Sequence, residues 1–131
     1  MNDQTAEWLR YAGENLRSAE ILFASKLFNP CLQNIQQAVE KMLKAVLVER
    51  SVAVKRTHRI GELVAILSGL NVSVPLSGED CDVLDSIYVP SKYPSHGVLP
   101  GFEPDEQFCR RCLDIAMTVN RSITELLQNM D

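Results

Sequence analysis

Apolar residues recur along this chain at helical spacing. Trp8, Leu9, Ala12, Leu16, Ala19 and Phe23 trace one stripe of a 3.6-residue repeat, which predicts a helix from about Gln4 to Ser25, weakened slightly by Gly13. Asn29 followed by Pro30 reads as a cap and a first helical residue, so a second helix is expected from there to about Arg50, with Ile35, Val39, Met42 and Val46 as its seam. Only Lys26 to Phe28 lies between the two, which leaves room for an antiparallel hairpin and little else. Val52, Ala53 and Val54 are too few for a strand and read as loop. Thr57 is placed to cap a short third helix, Arg59 to about Ser68, ended by Gly69 in the left-handed conformation. Ser77 ahead of Glu79 and Asp80 predicts a fourth helix over about Gly78 to Val89. From Pro90 to Pro104 four prolines and two glycines argue against helix and predict a long loop. Pro104, as the first helical residue, opens a last helix running to about Gln128, in which Phe108, Cys112, Ile115 and Val119 share a seam. The expected fold class is all-α, an up-and-down bundle of four to five helices forming a single domain over residues 1–131.

The second predicted helix carries more than a seam. Gln37, Lys41 and Lys44 recur at i, i+4 and i+7, a polar, lysine-bearing stripe that burial of the seam does not require. A plain alternative is a solvated face on which Glu40 and Lys44 pair at i, i+4 for a few tenths of a kcal/mol.

The run QQAVEKMLKA from Gln36 to Ala45, the segment THRIGEL from Thr57 to Leu63, and Lys92, Tyr93, Pro94 ahead of the last helix together resemble the HEPN domain family, and the resemblance extends over nearly the whole chain. These are small all-helical bundles whose family name refers to nucleotide binding. The resemblance implies a four- or five-helix bundle, a homodimer, and a partner in the form of a minimal nucleotidyltransferase, the two in a toxin–antitoxin-like pair. One large branch of the family consists of RNA-cleaving toxins and carries an Arg and a His with four to six residues between them. That motif is absent here: His58 is preceded at those distances by Ser51, Val52 and Ala53. A binding role is therefore expected ahead of a metal-independent ribonuclease, in which His58 would be the base and Arg56 or Arg59 would stabilise phosphorane charge. The expected ligand-binding residues are Gln37, Lys41, Lys44, Arg56, His58, Lys92 and Tyr93. Their convergence would supply donors for a di- or triphosphate, with Tyr93 stacking on a base or else anchoring its loop.

Charge sharpens this expectation only locally. The net charge is −4, which argues against coating nucleic acid by bulk attraction. Between Lys41 and Arg59, however, six basic residues face Glu49 alone, so this segment carries +5 and the remainder −9. A compact anionic ligand suits that asymmetry. No apolar run approaches the ~20 residues that cross a bilayer, and Met1 to Gln4 lacks the features of a signal peptide, so a cytoplasmic location without membrane contact is expected. Of the four cysteines, Cys109 and Cys112 form a C-x-x-C. With no second Cys or His pair nearby, and with Cys112 on an apolar seam, they read as packing residues and not as a zinc or redox site. No Gly-rich phosphate loop, catalytic triad order or H-E-x-x-H occurs, and neither cofactor nor metal is expected.

Overall fold

A computed structural model describes residues 1–53, 56–92 and 104–130, with the backbone alone for residues 89–92. Five helices occupy the described residues: α1 Asp3–Ala24, α2 Phe28–Glu49, α3 Ile60–Gly69, α4 Gly78–Lys92 and α5 Glu106–Asn129. The all-α class is as expected. The α2 helix is the axis of the bundle: α1 and α5 pack along it on one side, α3 and α4 on the other. From Ile35 to Leu47 every α2 position is buried except Gln37 and Lys41, which are half-buried. The seam of Ile35, Val39, Met42 and Val46 is fully buried, and Leu63, Leu67, Leu84, Val119, Ile123 and Leu127 complete the core around it.

Helix ends explain where the sequence reading misplaced boundaries. The α2 helix begins at Phe28, with Leu27 in the cap position and no side-chain cap, so Asn29 and Pro30 lie in its first turn. The first intrahelical bond, Cys31 N–H to Leu27 C=O at 3.1 Å, starts just past Pro30. The missing proline N–H therefore costs nothing, since the first four donors of a helix lack partners anyway. Gly69 ends α3 as a helical residue, and it is Asn71 that adopts the left-handed conformation, at φ 62°. Lys26 and Ser51 do the same after α1 and α2, at φ 60° and 59°. In all three, the following residue donates back five positions (Leu27 to Leu22, Val52 to Leu47, Val72 to Leu67, each 2.9 Å), closing Schellman motifs without glycine.

Two further expectations are corrected. The α4 helix continues through Pro90 to Lys92, where the sequence reading excluded helix from Pro90 onward. A proline this near a helix end deletes one N–H and does not forbid two more residues of helical backbone. Pro104 precedes α5, whose cap is Asp105, its carboxylate accepting from Phe108 N–H at 2.8 Å. Residues 93–103, the greater part of the predicted loop, lie outside the described residues.

Candidate functional site

Two polar stripes run along α2. Gln37 and Lys41 form the outer one. Lys41 Nζ donates to Asn15 Oδ1 across the α1–α2 groove at 2.6 Å and lies 5.9 Å from the Tyr11 ring. Partial burial lowers the Lys41 ammonium from its ordinary value, while Glu40 and Glu14 pull in the opposite direction.

The inner stripe, offset by one residue, is Gln36, Glu40 and Lys44, at i, i+4 and i+8. All three are nearly or fully buried, at 1%, 4% and 5% exposure. Lys44 Nζ donates to Glu40 Oε2 at 2.8 Å, Gln36 Nε2 to Glu40 Oε1 at 3.2 Å, and Gln37 Nε2 to Gln36 Oε1 at 2.8 Å. Lys44 thus stands in the interior and not on an exposed stripe, correcting its expected position, and the pair anticipated as a surface contact is a buried ion pair. Its ammonium also lies 5.8 Å from the Trp8 ring of α1. An ion pair that has lost its water gains little net stability, whereas removing one partner strands a charge.

His58 closes the outer end of this stripe. Its Nδ1 lies 3.1 and 3.3 Å from the two Glu40 oxygens, and its backbone carbonyl accepts from Gln36 Nε2 at 3.2 Å. The side chain is 47% exposed and stacks on Tyr88 of α4, with ring centroids 4.8 Å apart and planes 15° from parallel. Backbone, ring plane and one ring nitrogen are each held by a different neighbour. The imidazole is thereby fixed in orientation while part of it faces solvent.

The start of α3 is already occupied. Asp85 of α4 accepts from the N–H groups of Ile60 at 2.5 Å and Gly61 at 3.2 Å, so a carboxylate sits where the helix dipole would otherwise attract a ligand anion. Thr57 does not cap the helix. Its hydroxyl accepts from Arg59 N–H at 3.1 Å, and Arg59 takes the cap position.

Of the expected ligand residues, Gln37, Lys44 and His58 belong to one hydrogen-bonded cluster, and Lys41 turns from it toward α1. Arg56 is exposed beside His58 in sequence. Lys92 ends α4 with its side chain outside the described set, and Tyr93 lies outside the described residues. Sequence reasoning missed Gln36, Glu40, Tyr88 and Asp85. The first two had a signal, an acid and an amide at i, i+4 within an otherwise apolar helix, and ahead of Lys44. Tyr88 and Asp85 had none, because their roles depend on how α4 docks. A separate open groove of about 540 Å³ runs between α4 and α5, with Asp80, Arg110, Arg111 and Asp114 on its walls, and takes none of these residues.

The cysteines are free and buried. Cys31 Sγ donates to Ala19 C=O at 3.3 Å and Cys109 Sγ to Phe28 C=O at 3.8 Å. Desolvation pushes the Cys109 and Cys112 thiols up to about 12, a range in which thiolate is scarce, so both serve as core side chains. Among the described residues no cluster of His, Cys, Asp and Glu is suited to a metal ion, and no helix is long and apolar enough to cross a membrane.

No curated protein matches the chain in sequence. Among solved structures, TT1696 from Thermus thermophilus is similar over 95% of this chain and 98% of its own, at 25% identity and a TM-score of 0.77. ST0689, described as an archaeal HEPN homologue, shares the fold over 93% of this chain and 96% of its own, at 21% identity and a TM-score of 0.64. A profile of the HEPN domain matches residues 5–126, which is nearly the whole bundle and includes both stripes of α2, and on that match the chain belongs to the HEPN domain family.

Proposed function

We propose that this chain is a HEPN binding module, one domain over residues 1–131, that takes a nucleotide at the face bearing Gln37, Lys41, Arg56 and His58. It acts as a homodimer and as the partner of a minimal nucleotidyltransferase. The observation carrying this reading is the buried Gln36–Glu40–Lys44 stripe ending in a half-exposed, oriented imidazole. A core gains little from such a stripe, and apolar residues of equal volume serve stability as well or better. Because Glu40 neutralises Lys44, phosphate charge falls to Lys41 and Arg56, with Lys92 and Tyr93 as further contacts. Titration calorimetry with ATP and GTP tests the reading: binding weakened by Lys41→Ala and Arg56→Ala supports it, and no heat with either nucleotide leaves only the protein-partner role. That role predicts a nucleotidyltransferase encoded beside this gene and a dimer in sedimentation at tens of micromolar.

One observation favours a second reading, the ribonuclease. A carboxylate on one imidazole nitrogen is the arrangement that orients a histidine base. Incubation with single-stranded RNA beside His58→Ala decides it: wild-type cleavage lost in the variant supports the enzyme, and equal residual cleavage marks contamination and removes it.

A further inference from the structure

The expectation from sequence is that His58 meets phosphate. The geometry points elsewhere. A carboxylate oxygen only accepts hydrogen bonds, so the nitrogen that faces Glu40 must carry the proton, and in a neutral imidazole the other nitrogen is then a bare acceptor. Nδ1 is that protonated nitrogen, within 3.3 Å of both Glu40 oxygens. Nε2, across the ring, meets no polar partner among the described residues, and the ring is half exposed. Lys44 and Gln36 hold the carboxylate from its other sides, so it has little freedom to turn away. Tyr88 covers one face of the ring and fixes the direction in which Nε2 points.

An acceptor nitrogen opposes phosphate oxygens, which are acceptors as well, and receives a hydroxyl. We propose that Glu40 is a positioning residue that fixes His58 as the Nδ1–H tautomer, and that Nε2 reads a hydroxyl of the bound ligand, making this site selective for ribose over deoxyribose nucleotides. The inference rests on the nucleotide reading for its ligand, but not for its tautomer. Phosphate then lies on the flanking cations and the sugar edge at His58. The selectivity comes from one hydrogen bond that a deoxyribose cannot make, which corresponds to about threefold to tenfold in affinity.

Two measurements on the full chain test this. Long-range proton–nitrogen spectra of the nitrogen-15-labelled protein at pH 8, with the His58 signals assigned by their loss in His58→Phe, show which ring nitrogen is protonated. The expected result is Nδ1–H in the wild type, shifting toward Nε2–H in Glu40→Leu/Lys44→Met, where no acceptor faces Nδ1 and no charge is stranded. A wild-type Nε2–H signal, or a tautomer indifferent to the double substitution, overturns the proposal. Calorimetry then compares ATP, 2′-deoxy-ATP, 3′-deoxy-ATP and inorganic triphosphate. Weaker binding of one deoxynucleotide by threefold or more, abolished in His58→Phe, supports it; equal binding of all nucleotides, or a preference surviving in His58→Phe, overturns hydroxyl reading. Silence toward every nucleotide ends the nucleotide reading alone, because the spectrum is recorded without ligand and an Nδ1–H signal still supports the positioning role of Glu40.

Discussion

Lys41 and Lys44 lie less than one turn apart on the same helix, yet they inhabit different physical regimes. Lys41 sits at the α1–α2 groove, half-buried, on a neutral amide beside a tyrosine ring. Lys44 is turned inward onto Glu40, behind His58, with 5% of its surface exposed. The difference shows that one lysine-bearing stripe in sequence can split in three dimensions into a surface contact worth little and a buried pair whose integrity is costly to disturb. It also separates two functional jobs: the outer lysine is available to a ligand, and the inner one holds the residue that holds the histidine.

Single substitutions expose the contrast most strongly. Lys44→Ala strands the Glu40 carboxylate and should cost about 3–5 kcal/mol in urea unfolding, whereas Lys41→Ala should cost under about 1 kcal/mol and leave helicity unchanged. Equal small losses for both would mean that Lys44 is solvated after all. Asp85→Ala removes the carboxylate from the start of α3 and should cost about 1–2 kcal/mol, read as a lowered urea midpoint, with faster amide exchange at Ile60 and Gly61. Away from the site, Lys26→Gly relieves a left-handed residue in the α1–α2 turn and should stabilise the hairpin by about 1 kcal/mol. Gln37→Gly, in contrast, has no such strain to relieve and should destabilise.

The buried thiols set a pH limit on the core. Their folded-state values lie above those of the unfolded chain, so unfolding releases protons once the medium passes about 9. Stability contributed by Cys109 and Cys112 is complete below that pH and declines as pH rises toward about 12. Urea midpoints measured from pH 8 upward should fall over this window, and native thiols should react with a disulfide reagent far more slowly than unfolded ones.

Much of the bundle was legible in the sequence because helical periodicity is a local property: the α1 stripe, the α2 seam and the short hairpin follow from residue spacing alone. Helix ends were less legible. Pro30 is equally compatible with the first or third position of a helix, and a left-handed cap is readily assigned to Gly69 when Asn71 takes it. At the site, His58 and Lys44 stood out as residues, but their relation ran through Glu40, whose role depends on α2 being covered on several sides at once. Periodicity predicts one buried face for a helix. It does not show that a second face, lined with Gln36, Glu40 and Lys44, is buried too.

If this inner stripe serves to orient His58, its net contribution to stability is small. A double-mutant cycle in urea over wild type, Glu40→Gln, Lys44→Met and Glu40→Gln/Lys44→Met tests it most directly. Lys44→Met is expected to cost about 3–5 kcal/mol and the double variant to recover most of that loss, because no charge is left stranded. Losses that simply add, leaving the double variant less stable than either single one, would contradict it.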